Sequence, residues 1–154
     1  MTSSGSGNLE TDAAGEPLVL DYDVIKEDFT RAGEASSDVK KKLRMAGVDP
    51  AAIRKVSICM YEGEINMVIH ADGGKIRVEI YNDKVRMILK DRGPGIKDID
   101  KAMQAGWSTA SEEARNLGFG AGMGLPNMKK YSDEMQIETE VGKGTTVTMK
   151  VYLS

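Results

Sequence analysis

Three polar side chains, spaced four residues apart, lie in a stretch whose apolar residues follow a helical period. Glu62, Asn66 and His70 share one face of this predicted helix, because residues four apart are neighbours on a helix surface. A carboxylate and a carboxamide there could serve an attacking nucleophile and a hydrated Mg²⁺, which accepts oxygen ligands and keeps several waters. The alternative is a polar helix edge that faces water. Glu64 falls on a different face, and we expect it to be solvent-facing or structural.

A second candidate site follows an expected strand at Asp91-Arg-Gly93-Pro-Gly95-Ile96. An aspartate at a strand end can accept a hydrogen bond from the exocyclic amine of adenine. The two glycines would let the backbone approach the base without Cβ clashes. Turns favour the same residue types, so a simple turn is the alternative.

A run of alternating glycines, Gly118-Phe-Gly120-Ala-Gly122-Met-Gly124-Leu125-Pro126, leads into an expected helix start. Free backbone N–H groups and the positive helix end together favour phosphate oxygens. A mobile hinge loop is the alternative. The run matches neither the dinucleotide-binding fingerprint nor the phosphate loop of the Walker type. If this chain binds ATP, it does so with a different architecture.

A fourth motif, Gly142-Lys-Gly144-Thr145-Thr146, precedes the last expected strand. It predicts a hairpin turn, and a functional role is an equal alternative when the motif is taken alone.

The elements that would position these residues follow from hydrophobic periodicity and turn residues. Residues 1–17 are rich in Ser, Gly and small acidic residues and are expected to form a flexible tail before a single domain over 18–154. Gly47 and the pair Asp49-Pro50 predict a helix end and a helix start. Expected strands cover about residues 18–24, 76–80, 85–89, 135–141 and 145–153; expected helices cover about 29–46, 50–71, 98–105 and 125–131. This pattern predicts an α+β two-layer sandwich, with a mixed, mostly antiparallel sheet and helices on one face.

The composition excludes several classes of protein. The net charge of −3 provides no basic footprint for nucleic acid. No apolar run approaches the length of a membrane span, so no membrane association is expected. The single cysteine, Cys59, cannot form an internal disulfide and is typical of the reducing cytoplasm, where we expect the protein.

Taken jointly and in this order, the four motifs resemble the boxes of the GHKL (Bergerat-fold) ATPase and kinase superfamily. The resemblance extends from about Leu18 to the C-terminus. Within the superfamily, Ile96-Lys-Asp-Ile-Asp-Lys-Ala-Met and Gly106-Trp-Ser-Thr are similar to the anti-sigma-factor serine/threonine kinases and the stress-pathway switch kinases.

The resemblance implies a role for each matching residue in a site for ATP and Mg²⁺. Asn66 would hold the metal, Glu62 would act as catalytic base or orient the attacking hydroxyl, and Asp91 would bind adenine. Ser108 and Thr109 would lie in a lid, without an assigned role. Arg115 is a candidate phosphate contact, although its spacing from the glycine run is longer than in typical anti-sigma kinases. The remaining cofactor-binding residues would be Gly93, Gly95, Ile96, Gly118, Gly120, Gly122, Gly124, Leu125 and Thr145.

Three functions remain open. The only histidine is His70, inside the predicted ATP-site helix, so the chain has no separate phosphoacceptor histidine and is not a self-contained sensor kinase. The resemblance implies a serine/threonine kinase that acts on an antagonist protein of the STAS type. The alternatives are a binding module that sequesters a partner, such as a sigma factor, and a detached histidine-kinase catalytic domain. A homodimer is compatible with all three.

Overall fold

The computed structural model describes residues 15–93, 95–96, 99–104 and 124–153. In these ranges no helix has both the length and the apolar character needed to cross a membrane. Five strands and four helices follow one another along the chain: β1 (Leu18–Val24), α1 (Glu34–Met45), α2 (Pro50–His70), β2 (Gly74–Ile80), β3 (Lys84–Asp91), α3 (Ile99–Ala102), α4 (Gly124–Tyr131), β4 (Glu134–Glu140) and β5 (Gly144–Tyr152).

The strands form one sheet in the order β1-β2-β3-β5-β4. Every neighbouring pair is antiparallel, so the described sheet is antiparallel throughout rather than mixed. The strands expected from alternation are confirmed, with β1 and β4 at the two edges. Because β5 lies between β3 and β4, the end of β3 and the start of β5 are brought side by side.

The core lies between one face of the sheet and the helices. Ile76 and Val78 of β2, Met87 of β3 and Met149 of β5 are fully buried, and Met60 of α2 packs into the same cluster. Their neighbours along each strand point to the other face, which is mostly polar. This one-sided burial confirms the two-layer α+β sandwich expected from the sequence.

Helix α2 starts as the sequence predicts. The Asp49 side chain accepts a hydrogen bond from the Ala51 N–H at 3.2 Å, and Pro50 occupies the first helical position, where its missing N–H costs nothing. Gly63, in the middle of this helix, is buried. A Cβ on Gly63 would overlap with the Leu89 side chain, so the glycine allows α2 to lie close against β3.

Helix α1 begins five residues later than expected, at Glu34 rather than near Phe29. The chain turns sharply before it, with Glu27 at a φ of 55° and Gly33 at a φ of 97°. The helix ends as predicted, because Gly47 adopts a positive φ of 76° and its N–H bonds to the Arg44 carbonyl at 3.0 Å.

The late start of α1 is explained by a carboxylate that belongs to another helix. Glu64 of α2 is only 4% exposed and accepts hydrogen bonds from the Gly33, Ala35 and Ser36 N–H groups and from the Ser36 hydroxyl, at 2.7 to 3.2 Å. It satisfies N–H groups that the first helical turn leaves free. The solvent-facing alternative for Glu64 is therefore wrong, and its role in the described structure is structural.

Candidate functional site

Helix α4 packs along α2 on the face that carries Glu62. The Asn127 side chain of α4 donates a hydrogen bond from Nδ2 to Glu62 Oε2 at 2.8 Å. One turn earlier on α2, the Cys59 thiol donates to the Met128 carbonyl at 3.7 Å. Glu62 and Asn66 both remain partly exposed. A carboxylate that is held at one oxygen and open to solvent can accept a proton from an incoming hydroxyl.

The Asn66 carboxamide lies directly against the first residue of α4. A Cβ on Gly124 would lie 2.6 Å from Asn66 Oδ1 and 2.7 Å from Nδ2, so only glycine leaves this space to the carboxamide. The backbone N–H groups that open α4 are therefore next to a side-chain oxygen of the kind that Mg²⁺ accepts. A helix start and an oxygen ligand at one point suit a phosphate with its metal.

Two predicted residues of the glycine run have described positions. Gly124 opens α4, and Leu125 is 8% exposed, with its side chain in the hydrophobic core. Leu125 can therefore face a ligand only through its backbone. Gly118, Gly120 and Gly122 lie outside the described residues, as do Ser108, Thr109 and Arg115.

Asp91 ends β3 in a half-buried position, where its Oδ1 accepts a hydrogen bond from the Thr145 N–H at 3.0 Å. Burial raises the pKa of the Asp91 carboxyl above its ordinary value; the Thr145 N–H opposes this shift, and the nearby Asp72 carboxylate adds to it. Within the described ranges no group donates to Oδ2. This oxygen can accept a hydrogen bond from an amine such as that of adenine.

The two glycines after Asp91 bring the backbone close to neighbouring elements. Gly95 adopts a φ of 77°, and a Cβ there would lie 2.7 Å from the Glu140 carbonyl oxygen. A Cβ on Gly93 would lie 3.1 Å from the Cα of Ala71, just beyond the end of α2. The Ile96 N–H, one residue further, donates to the Thr139 hydroxyl at 2.9 Å. These contacts fix the loop after β3 between α2 and β4.

Thr139 and Thr145 form a hydroxyl pair below this loop. Their Oγ1 atoms are 2.8 Å apart, and the two residues face each other across the β4–β5 hairpin. Thr145 is buried, at 5% exposure. The motif that starts at Gly142 thus forms a hairpin turn and also contributes Thr145 to the candidate site. Thr139 was not predicted from the sequence, although the hairpin register, once assigned, places it opposite Thr145.

Helix α2 connects the two halves of the arrangement. From Glu62 to its last residue, His70, the helix rises by about 12 Å. Near the middle of this span, the Asn66 side chain contacts Gly124. Just past the helix end, the Asp72 N–H donates to the Arg92 carbonyl at 2.6 Å, beside Gly93. One end of this span can take a phosphate with its metal, and the other can take a purine.

Comparison with known proteins identifies the family of this fold. A family model described as the histidine kinase-like ATPase domain matches residues 25–151, which include α2, the Asp91 loop and the β4–β5 hairpin. The chain belongs to this family. The resemblance to GHKL ATPases and kinases drawn from the four motifs is thereby confirmed.

Two relatives are named an anti-sigma factor and a protein kinase. The chain is 36% identical over 115 residues to an "Anti-sigma F factor" of Caldanaerobacter subterraneus subsp. tengcongensis, with 70% of this chain and 77% of that protein covered. It is 32% identical over 124 residues to the "Serine/threonine-protein kinase RsbT" of Bacillus subtilis, with 78% and 85% covered.

A solved structure shares the fold. The RsbU and RsbW domains of a Mycobacterium tuberculosis protein match with a TM-score of 0.58 at 19% identity, over 89% of this chain. The chain spans about a third of that polypeptide, 32% of its length. At this identity, the likeness concerns the fold of the family domain.

Proposed function

We propose that this histidine kinase-like ATPase domain is a serine/threonine protein kinase that transfers the γ-phosphate of ATP to an antagonist protein of the STAS type. The observation that carries the proposal is the pairing of Glu62 and Asn66 at successive turns of α2, with Gly124 against Asn66. A domain that only binds nucleotide needs no carboxylate at the phosphate end. A partly exposed carboxylate there supports proton acceptance from an attacking hydroxyl.

In this proposal the adenine end is formed by the loop after β3 and the β4–β5 hairpin. Asp91 accepts the adenine amine through Oδ2, and Thr145 supports Asp91 through its N–H. Gly93 and Gly95 keep the wall of the pocket free of side chains, and the Ile96 backbone closes it.

The phosphate end is formed by α2 and the start of α4. Asn66 would supply one oxygen ligand to Mg²⁺, a cation that keeps several waters and needs few protein ligands. Gly124 would border the phosphates, and the resemblance implies the same role for Gly118, Gly120 and Gly122. When bound, MgATP supplies the phosphoryl group and the metal charge that lowers the barrier to in-line transfer. Glu62 takes the proton of the acceptor hydroxyl.

The acceptor is inferred from the family members. One relative is named a serine/threonine-protein kinase, and others are named anti-sigma F factors. Kinases of the branch that the sequence resembles act on STAS-type antagonists, which supports this class of substrate. A sigma factor is the second candidate partner, and the anti-sigma relatives at 36% identity support it.

The chemistry of the phosphorylated product tests the proposal. The protein is incubated with γ-labelled MgATP and STAS-type proteins from the same genome, and the labelled product is exposed to acid and then to base. Phosphoserine or phosphothreonine should survive acid and be lost in base. Acid-labile label on the acceptor would instead show histidine transfer and would overturn the serine/threonine assignment. Stoichiometric capture of a sigma factor without any phosphorylated acceptor would favour the sequestering function.

A further inference from the structure

Asn127 is the one side chain in the described part of the molecule that holds the Glu62 carboxylate. Its Nδ2 donates to Glu62 Oε2 at 2.8 Å, in a partly buried position between α2 and α4. Among the described residues nothing else donates to Glu62, so Oε1 keeps its lone pairs for an incoming group. Nothing in the four sequence motifs assigns a role to Asn127.

The position of Asn127 is fixed by the helix that carries it. The next residue, Met128, is only 1% exposed. Its carbonyl accepts a hydrogen bond from the Cys59 thiol, and its sulfur would lie 3.4 Å from a Cβ on Gly63. At the start of the same helix, Gly124 abuts Asn66. Helix α4 is therefore anchored to α2 on either side of Asn127, which leaves the amide little freedom to move.

The chemistry of an amide suits this position. The NH₂ group of Asn127 only donates, so it binds a carboxyl oxygen of Glu62 and does not compete for the acceptor's proton. With Oε2 occupied, the carboxylate plane and the direction of Oε1 are set. An unanchored glutamate on an exposed helix face would sample several rotamers, of which only some can meet a hydroxyl.

We propose that Asn127 is a positioning residue for phosphoryl transfer, which orients the Glu62 carboxylate towards the acceptor hydroxyl. This inference rests on the proposed function, because it requires Glu62 to act as the base. Asn127 lies three residues after Gly124 on one helix, so the segment that borders the phosphates also sets the direction of the base.

The first test compares Asn127→Leu and Asn127→Asp with Asn127→Gln and with the exposed control Lys129→Leu on the same helix. Transfer to a STAS-type acceptor should show kcat lowered about tenfold or more in the Leu and Asp variants. The acceptor KM and the ATP dissociation constant should change less than twofold. The thermal midpoint of unfolding should change by no more than a few degrees. Asn127→Gln should recover part of the loss, and Lys129→Leu should behave as wild type.

A double-mutant comparison separates positioning from general damage. If Asn127 acts through Glu62, Asn127→Leu should cause no further loss of rate when Glu62 is already alanine. Independent, multiplicative losses would overturn the inference, and so would an unchanged kcat in Asn127→Leu. A wild-type protein that phosphorylates no serine or threonine would instead refute the proposed function, so the two failures are distinguishable.

Discussion

Asp91 is a residue of the candidate site whose ionised form is disfavoured by folding, although a ligand amine would need that form. Burial raises the pKa of its carboxyl, which means that folding favours the protonated form over the ionised one. The resulting stabilisation is complete below the unfolded pKa, about 3.9, and is lost as the pH rises through the higher folded pKa. At neutral pH the ionised carboxylate contributes nothing favourable through this linkage, yet it is the form that would accept the adenine amine in the proposed function.

The substitution Asp91→Asn separates these two effects. An asparagine keeps an oxygen for the Thr145 N–H but removes the charge that would face adenine. We expect the ATP affinity to fall about tenfold or more, since hydrogen bonds to charged groups are worth about 1.5–3 kcal/mol. The free energy of unfolding at pH 7 should stay within about 1 kcal/mol of wild type.

Calorimetric titration with MgATP and urea unfolding measure these two quantities. Wild-type affinity should also decline on acidification while that of Asp91→Asn stays nearly level, because only the wild type loses a charged acceptor. Equal affinity of both proteins at pH 7 would refute the adenine assignment.

At the scale of elements, the sequence is most informative where local signals decide the structure. The extent of α2 follows from Asp49-Pro50 and its apolar period, and the strands follow from alternation between turns. The start of α1 could not be predicted, because it is set by Glu64, 30 residues further along the chain from Glu34. A cap supplied from another helix leaves no pattern in the segment that it caps.

The candidate site shows the same division. Glu62, Asn66, Asp91 and the glycines lie in motifs whose residue types and order indicate their chemistry. Thr139 becomes recognisable only through its cross-strand partner, and Asn127 lies in a helix with no motif of its own. Their contacts depend on how elements distant in sequence pack together.

The role of Glu64 predicts a large effect on stability from a single residue. Glu64→Ala leaves three buried or partly buried N–H groups and a hydroxyl without their acceptor. Because each such loss costs about 1–3 kcal/mol, the unfolding free energy should fall by about 3 kcal/mol or more. The control Glu34→Ala removes a first-turn carboxylate that is 64% exposed and should cost less than about 1 kcal/mol. Urea unfolding compares the two; equal losses would contradict the capping role.

His70, the last residue of α2, predicts a pH dependence of stability. Burial lowers the pKa of its imidazole below the ordinary value of 6.5, so folding disfavours the charged form. The stabilisation from the neutral ring is present above the unfolded pKa and is lost as the pH falls through the lower folded pKa. In His70→Gln, the decrease in unfolding free energy between pH 7.5 and 5 should be smaller than in wild type. Identical pH profiles would contradict this account.

At the scale of the whole molecule, the fold brings together motifs that are far apart in the chain. The strand order places β5 between β3 and β4, so Asp91 meets Thr145, 54 residues away. Helix α2 then crosses the sheet from this end, which we propose for adenine, to Asn66 and Gly124. Because helices cover one face of the sheet only, the candidate site lies at the boundary between the two layers, where a protein acceptor can approach Glu62.

The kinase assignment depends most directly on the behaviour of Glu62. Single-turnover transfer from saturating MgATP to a STAS-type acceptor should be compared for the wild type, Glu62→Ala and Glu62→Gln. Glutamine retains an oxygen for Asn127 but cannot take the acceptor's proton, so both variants should lose transfer by about a hundredfold or more while ATP affinity stays within about twofold. Transfer at the wild-type rate in either variant would contradict the account.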